Sequence, residues 1–174
     1  AARLADFLAL IVVGPVVFLA GAYLWQLIPY RLTLRFERWR FPAMFLAVPA
    51  ALLAARALGP VLERLCFAGD IMHWLAGGGG PAGGWAYLLV APSGLAVILL
   101  LARFVNPRLN DASRSWSRAR CAWIELGKFA CSLAATLALA FALGAALALI
   151  GLDPRGPLLG TYVQRNSLVV GFVM

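Results

Sequence analysis

Long apolar runs alternate with short polar segments along the chain. Four runs cover residues 7–29, 41–62, 85–102 and 129–152, and a fifth begins at residue 167. A membrane-spanning helix needs roughly 20 apolar residues, because the hydrocarbon core of a bilayer is about 30 Å thick. The pattern therefore predicts four full spans and the start of a fifth, which stops at Met174. We expect residues 1–174 to be a fragment of one transmembrane domain.

The amino-acid composition agrees with this pattern. Of the 174 residues, 63% are hydrophobic and 13% are charged, and the mean hydropathy is +0.88. Soluble domains contain about 25% charged residues, and a domain of this size has too little interior to bury such an apolar excess. The predicted fold class is all-α: a polytopic integral membrane helical bundle that contacts the lipid bilayer.

Two of the spans have features that bear on packing. Arg56 is the one charged residue within a predicted span, and it lies near the end of 41–62, where a long side chain can reach the interface. Ala and Gly crowd the span 129–152 at spacings of three and four, which favours close helix packing. We expect its small face, which includes Ala138, Ala142 and Gly144, to pack against another span.

Basic residues are concentrated in two polar segments. The segments 31–40 and 103–128 hold ten of the 15 Lys and Arg residues. Positive charge in short loops marks the cytoplasmic side of a membrane, so these two segments are predicted to be cytoplasmic. The N-terminus, 63–84 and 153–166 are then predicted to lie outside. Because these two loops account for +7 of the net charge of +8, no nucleic-acid partner is expected.

Few residues offer candidate chemistry. Asp70 and His73 are three apart and could form an acid–base pair on one side of a helical turn, or act as a capping aspartate beside an interfacial histidine. The three cysteines form no C-x-x-C pair and there is a single histidine, so we predict no metal site, no catalytic residue and no cofactor. The glycine run 77–80 lacks the Lys-Ser/Thr of a phosphate-binding P-loop.

Two stretches resemble a family of transport proteins. Residues 164–174 (QRNSLVVGFVM) resemble the start of a helix in the C-type permease subunit of the phosphate-specific (Pst) ABC importer. Residues 69–75 (GDIMHWL) are similar to the GGD-x-x-x-WL stretch that precedes the same helix, on the outer side, in long members of that family. The family's cytoplasmic coupling loop follows this helix, and the chain is expected to be a fragment that lacks it.

The resemblance implies a transporter subunit and not an enzyme. In that family two permease subunits form the path across the bacterial inner membrane, a periplasmic binding protein delivers phosphate, and cytoplasmic ATPase subunits hydrolyse ATP to drive alternating access. The chain is then expected to supply transmembrane helices to the translocation unit for inorganic phosphate. Arg165 and Asn166 would lie at the outer mouth of the fifth span, where they could bind phosphate or serve as an interfacial anchor.

Two alternative functions follow from the residues alone. An intramembrane enzyme would use Asp70 and His73, and it would need a nucleophile or second carboxylate that the spans do not offer. A helical membrane scaffold would need no chemistry. The sequence after Met174 would separate these hypotheses, because a permease would continue into a cytoplasmic loop rich in Ala, Gly and acidic residues.

Overall fold

The fold is helical in every part of the chain that the structure describes. The computed structural model describes residues 2–28, 40–113 and 116–155, and no strand occurs among them. In chain order the elements are α1 (Ala2–Gln26), α2 (Arg40–Phe45), α3 (Ala47–Cys66), α4 (Ile71–Leu75), α5 (Ala82–Leu100), a π-helical segment (Leu101–Val105), α6 (Asn106–Ser113) and α7 (Arg118–Leu149). The predicted all-α fold class is confirmed for these residues.

Two pairs of long helices form the body of the molecule. Helix α1 packs along α3, and α5 packs along α7. Glycine permits close approach in both pairs: a Cβ atom on Gly59 of α3 would lie 2.5 Å from Asp6 Oδ1 of α1. A Cβ atom on Gly144 of α7 would lie 2.7 Å from the carbonyl oxygen of Ala82 in α5. Close approach of this kind is typical of small-residue contacts between membrane helices.

The contact face of α7 is a row of residues four positions apart. Thr136, Ala140 and Gly144 are buried against α5, and this spacing follows one face of a helix with 3.6 residues per turn. The expected packing of a small face against another span is therefore confirmed at Gly144. Ala138 and Ala142 are exposed, because they lie on other faces of the same helix.

Aromatic side chains join the two helix pairs. Tyr87 Oη of α5 donates a hydrogen bond to the carbonyl oxygen of Leu8 in α1, at 3.1 Å. The Tyr87 ring also contacts Phe67, just after α3, with ring centroids 5.7 Å apart. Farther along the bundle, the rings of Tyr23 and Phe129 lie 5.0 Å apart. The start of α1, the end of α3 and the start of α5 consequently lie at the same end of the bundle.

Three helices among the described residues are long and apolar enough to cross a membrane. These candidate spans are Leu4–Gln26, Ala82–Ser113 and Arg118–Leu149. Large apolar side chains project from them without protein partners, as at Phe7, where 58% of the residue is exposed. Lipid acyl chains can cover an apolar surface of this kind. The three helices are therefore consistent with a transmembrane protein.

The predicted span 41–62 differs from the other three. The chain divides at Leu46 into the short α2 and the 20-residue α3. Helix α3 carries Arg56, Glu63 and Arg64, which lower its apolar character below that of the other long helices. The structure therefore gives three candidate spans among the described residues where the sequence predicts four.

The predicted loop 103–128 is largely helical. Helix α5 continues through the π-helical segment and α6 to Ser113, and α7 begins well before the apolar run at residue 129. Ser117 caps α7, because its Oγ accepts a hydrogen bond from Arg120 N at 3.4 Å. Lys128 Nζ donates to Asn106 Oδ1 at 3.2 Å and to Glu125 Oε1 at 2.7 Å. These bonds hold the two polar helix extensions side by side.

Candidate functional site

The densest group of aromatic and polar contacts lies where α3, α5 and α7 share one end of the bundle. We call residues 66–84 together with 152–155 the glycine-rich cap. Its centre is Trp74 of α4, which is 1% exposed. The Trp74 indole Nε1 donates to the carbonyl oxygen of Gly80 at 2.9 Å, and the Phe67 ring meets it edge-on with centroids 5.2 Å apart. Gly84 lies so close to the indole that a Cβ atom there would overlap the ring.

Arg155, beyond the end of α7, is bonded to α4 and to the loop that follows it. Its Nη1 donates to the carbonyl oxygens of Trp74 at 3.0 Å and Gly78 at 3.2 Å. Its Nε and Nη2 donate to the Asp153 carboxylate at 2.8 and 2.6 Å. The guanidinium carbon also lies 5.3 Å from the centroid of the Trp74 ring, within the range of a cation–π contact. One side chain thus ties the segment after α7 to the loop between α4 and α5.

A second bond fastens the end of α7 to the start of α5. Trp85 Nε1 donates to the carbonyl oxygen of Leu152 at 3.0 Å. Pro154, between Asp153 and Arg155, is among the largest fully buried side chains. Proline also restricts the backbone at this point, which limits the positions that the Arg155 side chain can take.

Asp70 serves the cap as a helix N-cap. Its backbone is extended, and its carboxylate accepts hydrogen bonds from the N–H groups of Met72 at 2.8 Å and His73 at 3.2 Å. Two otherwise unpaired N–H groups of the first turn are satisfied in this way. The His73 ring lies against Gly78, where a Cβ atom would overlap it. The structure therefore gives Asp70 the capping role of the two that the sequence left open.

The loop that supplies the carbonyl oxygens to Arg155 depends on two glycines with positive φ. Gly77 has φ +104° and Gly79 has φ +70°, which side chains other than glycine adopt with difficulty. The start of the cap is fixed by Glu63, whose Oε1 accepts from Ile71 N at 3.1 Å. Backbone and side-chain bonds thus hold the loop on both sides of α4.

Burial and charge shift three pKa values in the cap. The hydrogen bond from Arg155 holds the pKa of the Asp153 carboxyl below its usual value, and the same bond raises the pKa of Arg155. Burial raises the pKa of the Cys66 thiol to about 11, because an apolar environment disfavours the thiolate. Cys66 is 8% exposed and packs in one cluster with Phe67, Ile71 and Trp74.

These contacts form a structural clasp around Trp74. The guanidinium of Arg155 is bonded through Nε, Nη1 and Nη2, so its fork is occupied by protein acceptors. Within residues 2–28, 40–113 and 116–155, no group of three or more His, Cys, Asp or Glu is placed to hold a metal ion. The arrangement fixes the positions of the chain segments at one end of the bundle.

The predicted substrate residues cannot be placed on this frame. Arg165 and Asn166 lie outside the described residues, as does most of the basic segment 31–40. Sequence reasoning missed Arg155 and Trp74 as the centre of the cap. The Asp-Pro-Arg turn was the available signal, because two charges of opposite sign two residues apart can pair across a proline.

No family model, no curated protein sequence and no solved structure matches the chain.

Proposed function

We propose that the chain is part of the C-type permease subunit of an ATP-binding-cassette importer for inorganic phosphate. It would contribute transmembrane helices to the translocation unit, and ATP would be hydrolysed by separate cytoplasmic subunits. Its partners would be a second permease subunit, those ATPase subunits and a periplasmic phosphate-binding protein. The carrying observation is the resemblance of residues 164–174 to the family's helix, joined by the resemblance of residues 69–75.

The residues of the second resemblance lie within the cap. Residues 69–75 include α4, whose Trp74 is the buried centre of the cap. Arg155 binds the carbonyl oxygen of Trp74 and stands ten residues before Arg165 in the chain. Under the proposal, the cap is the platform from which the chain runs into the substrate-facing helix.

The proposal includes a topology in the bacterial inner membrane. Helices α1, α5–α6 and α7 would span it, α2 and α3 together would form a further span over 41–62, and a fifth would begin at residue 167. Arg56, which is exposed, would reach the interface from within the α3 span. The cap and the N-terminus would face the periplasm, because the basic segments would be cytoplasmic. An odd number of crossings then brings the fifth span to the cytoplasm, where a coupling loop must lie.

Of the alternatives, the intramembrane enzyme has the weaker basis. Its proposed acid, Asp70, is engaged by two backbone N–H groups of α4. A scaffold without chemistry would share the same fold and cap, and so only an activity measurement separates it from a permease.

The test is phosphate uptake by the full-length protein. It would be expressed with its partner subunits in cells that lack their own high-affinity importer, and uptake of labelled phosphate would be measured. Arg165→Ala would be compared with Arg64→Ala, which removes an exposed charge from the last turn of α3. We expect uptake by the wild type and by Arg64→Ala, and a loss of uptake in Arg165→Ala at equal membrane insertion.

The other outcomes are informative in different ways. Unchanged uptake in Arg165→Ala would leave the permease proposal standing and make Arg165 an interfacial anchor. No uptake by the wild-type protein with all partner subunits present would remove the phosphate-importer proposal and leave the scaffold.

A further inference from the structure

The end of the bundle opposite the cap carries exposed arginines beside exposed aromatic rings. We call residues 101–113 and 116–128 the basic hairpin. The sequence from 103 to 128 holds six basic and two acidic residues. Arg103, Arg108 and Arg120 are exposed, and Phe104 and Trp123 expose 53% and 63% of their surface. Exposed arginine next to exposed tryptophan is the composition of a membrane interface.

The basic residues of the hairpin do not have equivalent surroundings. Lys128 is held by Glu125, with 2.6 Å between Nζ and Oε2, and its side chain is 18% exposed. Arg120 stacks over Trp116, with 5.0 Å between the guanidinium carbon and the ring centroid. Stacking on a ring leaves the N–H edge of a guanidinium available for an anion. Lys128 is therefore engaged within the protein, whereas the exposed guanidinium group of Arg120 can still bind an anion at its edge.

Helix length sets the depth of these residues in a bilayer. Trp85 lies at the cap end of α5, and at 1.5 Å per residue Arg103 is about 27 Å and Arg108 about 35 Å farther along the helix. The hydrocarbon core is about 30 Å thick, and the headgroup layers bring the total to about 40–45 Å. With Trp85 at one boundary of the core, Arg103 reaches the other boundary and Arg108 lies among the headgroups.

Helix α7 gives the same depth independently. Gly144 of α7 lies against Ala86, the neighbour of Trp85, and Trp123 is about 32 Å along the helix from Gly144. Trp123 therefore reaches the headgroup layer that also contains Arg108. Besides Asp111 and Glu125 of the hairpin itself, the acidic groups at this depth are lipid phosphates, whereas a soluble partner protein would meet residues farther from the membrane.

We propose that the basic hairpin binds anionic phospholipid headgroups, with Arg103 and Arg108 as the principal contacts. Guanidinium groups pair with phosphate oxygens through two parallel N–H bonds, and Trp123 anchors the same layer. Each basic residue at a membrane surface contributes roughly a fivefold preference for anionic lipid. This inference is independent of the transport proposal, because it concerns the lipid around the bundle and not a substrate.

The test is lipid selectivity of the purified full-length protein. Native mass spectrometry would measure the binding of phosphatidylglycerol and phosphatidylcholine in titrations of identical acyl chains. The variant Arg103→Gln/Arg108→Gln would be compared with Arg56→Gln/Arg64→Gln, which removes the same charge from exposed positions of α3. We expect the preference for phosphatidylglycerol to fall at least tenfold in the first variant and by a smaller factor in the second, because Arg56 and Arg64 belong to no basic cluster.

Three further results separate charge, fold and ligand source. The variant Arg103→Lys/Arg108→Lys should retain part of the preference, because lysine keeps the charge but lacks the planar fork of the guanidinium. Equal loss in the lysine and glutamine variants would overturn the proposal, as would an equal effect of the α3 control. Excess inorganic phosphate should leave phosphatidylglycerol bound, and displacement by the free ion would replace the lipid surface with a phosphate site. A wild-type protein without any preference would also refute it.

Discussion

Arg155→Ala should open the glycine-rich cap. The substitution removes two hydrogen bonds from a charged donor to partly buried carbonyl oxygens, those of Trp74 and Gly78. It also removes the cation–π contact with Trp74 and the pair with Asp153, whose side chain is 42% exposed. The closed cap then loses several contacts at once. The substitution introduces no steric clash, because alanine is smaller than arginine.

The magnitude follows from the exposure of each contact. The solvent-exposed pair with Asp153 contributes about 0.2–1 kcal/mol, and the cation–π contact about 0.5–1 kcal/mol. Hydrogen bonds to a charged group contribute about 1.5–3 kcal/mol each when buried, but water can replace part of that at the cap surface. We expect a loss of about 2–4 kcal/mol, which raises the population of the open cap roughly 30- to 1000-fold.

Cys66 provides the assay, because it is buried in the same cluster as Trp74. With Cys121 and Cys131 replaced by serine, the alkylation rate of Cys66 reports the population of the open cap. We expect that rate to rise at least 30-fold in Arg155→Ala and by a smaller factor in Arg155→Lys, which keeps the charge but lacks the planar fork.

The control and the refuting result are both measured as rates. Arg64→Ala should leave the Cys66 rate within twofold of the wild type, because Arg64 is exposed on α3. A rate in Arg155→Ala within threefold of the wild type would show that Arg155 does not hold the cap closed. The clasp described by the hydrogen bonds would then make no measurable contribution to stability.

Two further predictions concern the interior of the cap. Gly84→Ala should destabilise the closed cap by about 1–3 kcal/mol, because its Cβ overpacks the Trp74 indole, and this is measured as faster Cys66 alkylation. Gly80→Ala should have little effect, because its Cβ meets open space. Equal alkylation rates in the two variants would contradict this prediction. The raised pKa of Cys66 favours the closed cap while the thiol stays neutral, so this stabilisation is complete below about pH 9 and is lost as the pH rises towards about 11. The melting temperature of the wild type should therefore fall more steeply over that interval than that of Cys66→Ala, and parallel curves would refute the assignment.

The long helices could be predicted from the sequence because lipid imposes a simple rule. An apolar run of about 20 residues must form its hydrogen bonds internally, and a helix does so. The rule says nothing about where a helix ends in water, and so the polar continuation of α5 to Ser113 and of α7 back to Arg118 was predicted as a loop. A helix that is already nucleated extends cheaply through polar residues, since each added residue gains a bond.

The cap was less predictable for a different reason. Arg155 is bonded to main-chain carbonyl oxygens of residues far away in sequence. Every residue has such an oxygen, and so the residue types along the chain do not indicate which ones bind Arg155. The sequence alone suggests an ordinary interfacial tryptophan at Trp74. The structure shows that Phe67 and Gly84 enclose its ring. Arg165 and Asn166, the candidates that depend on resemblance, stay predictions because they lie outside the described residues.

The choice of main-chain oxygens as partners affects how the cap can change during evolution. A bond to a carbonyl group is indifferent to the side chain that the residue carries, provided that the backbone keeps its path. Gly77 and Gly79 are constrained by their positive φ angles, whereas Gly80 and Ala76 are free of that constraint. Relatives of this chain could therefore drift at the unconstrained loop positions and still close over the same tryptophan with the same arginine.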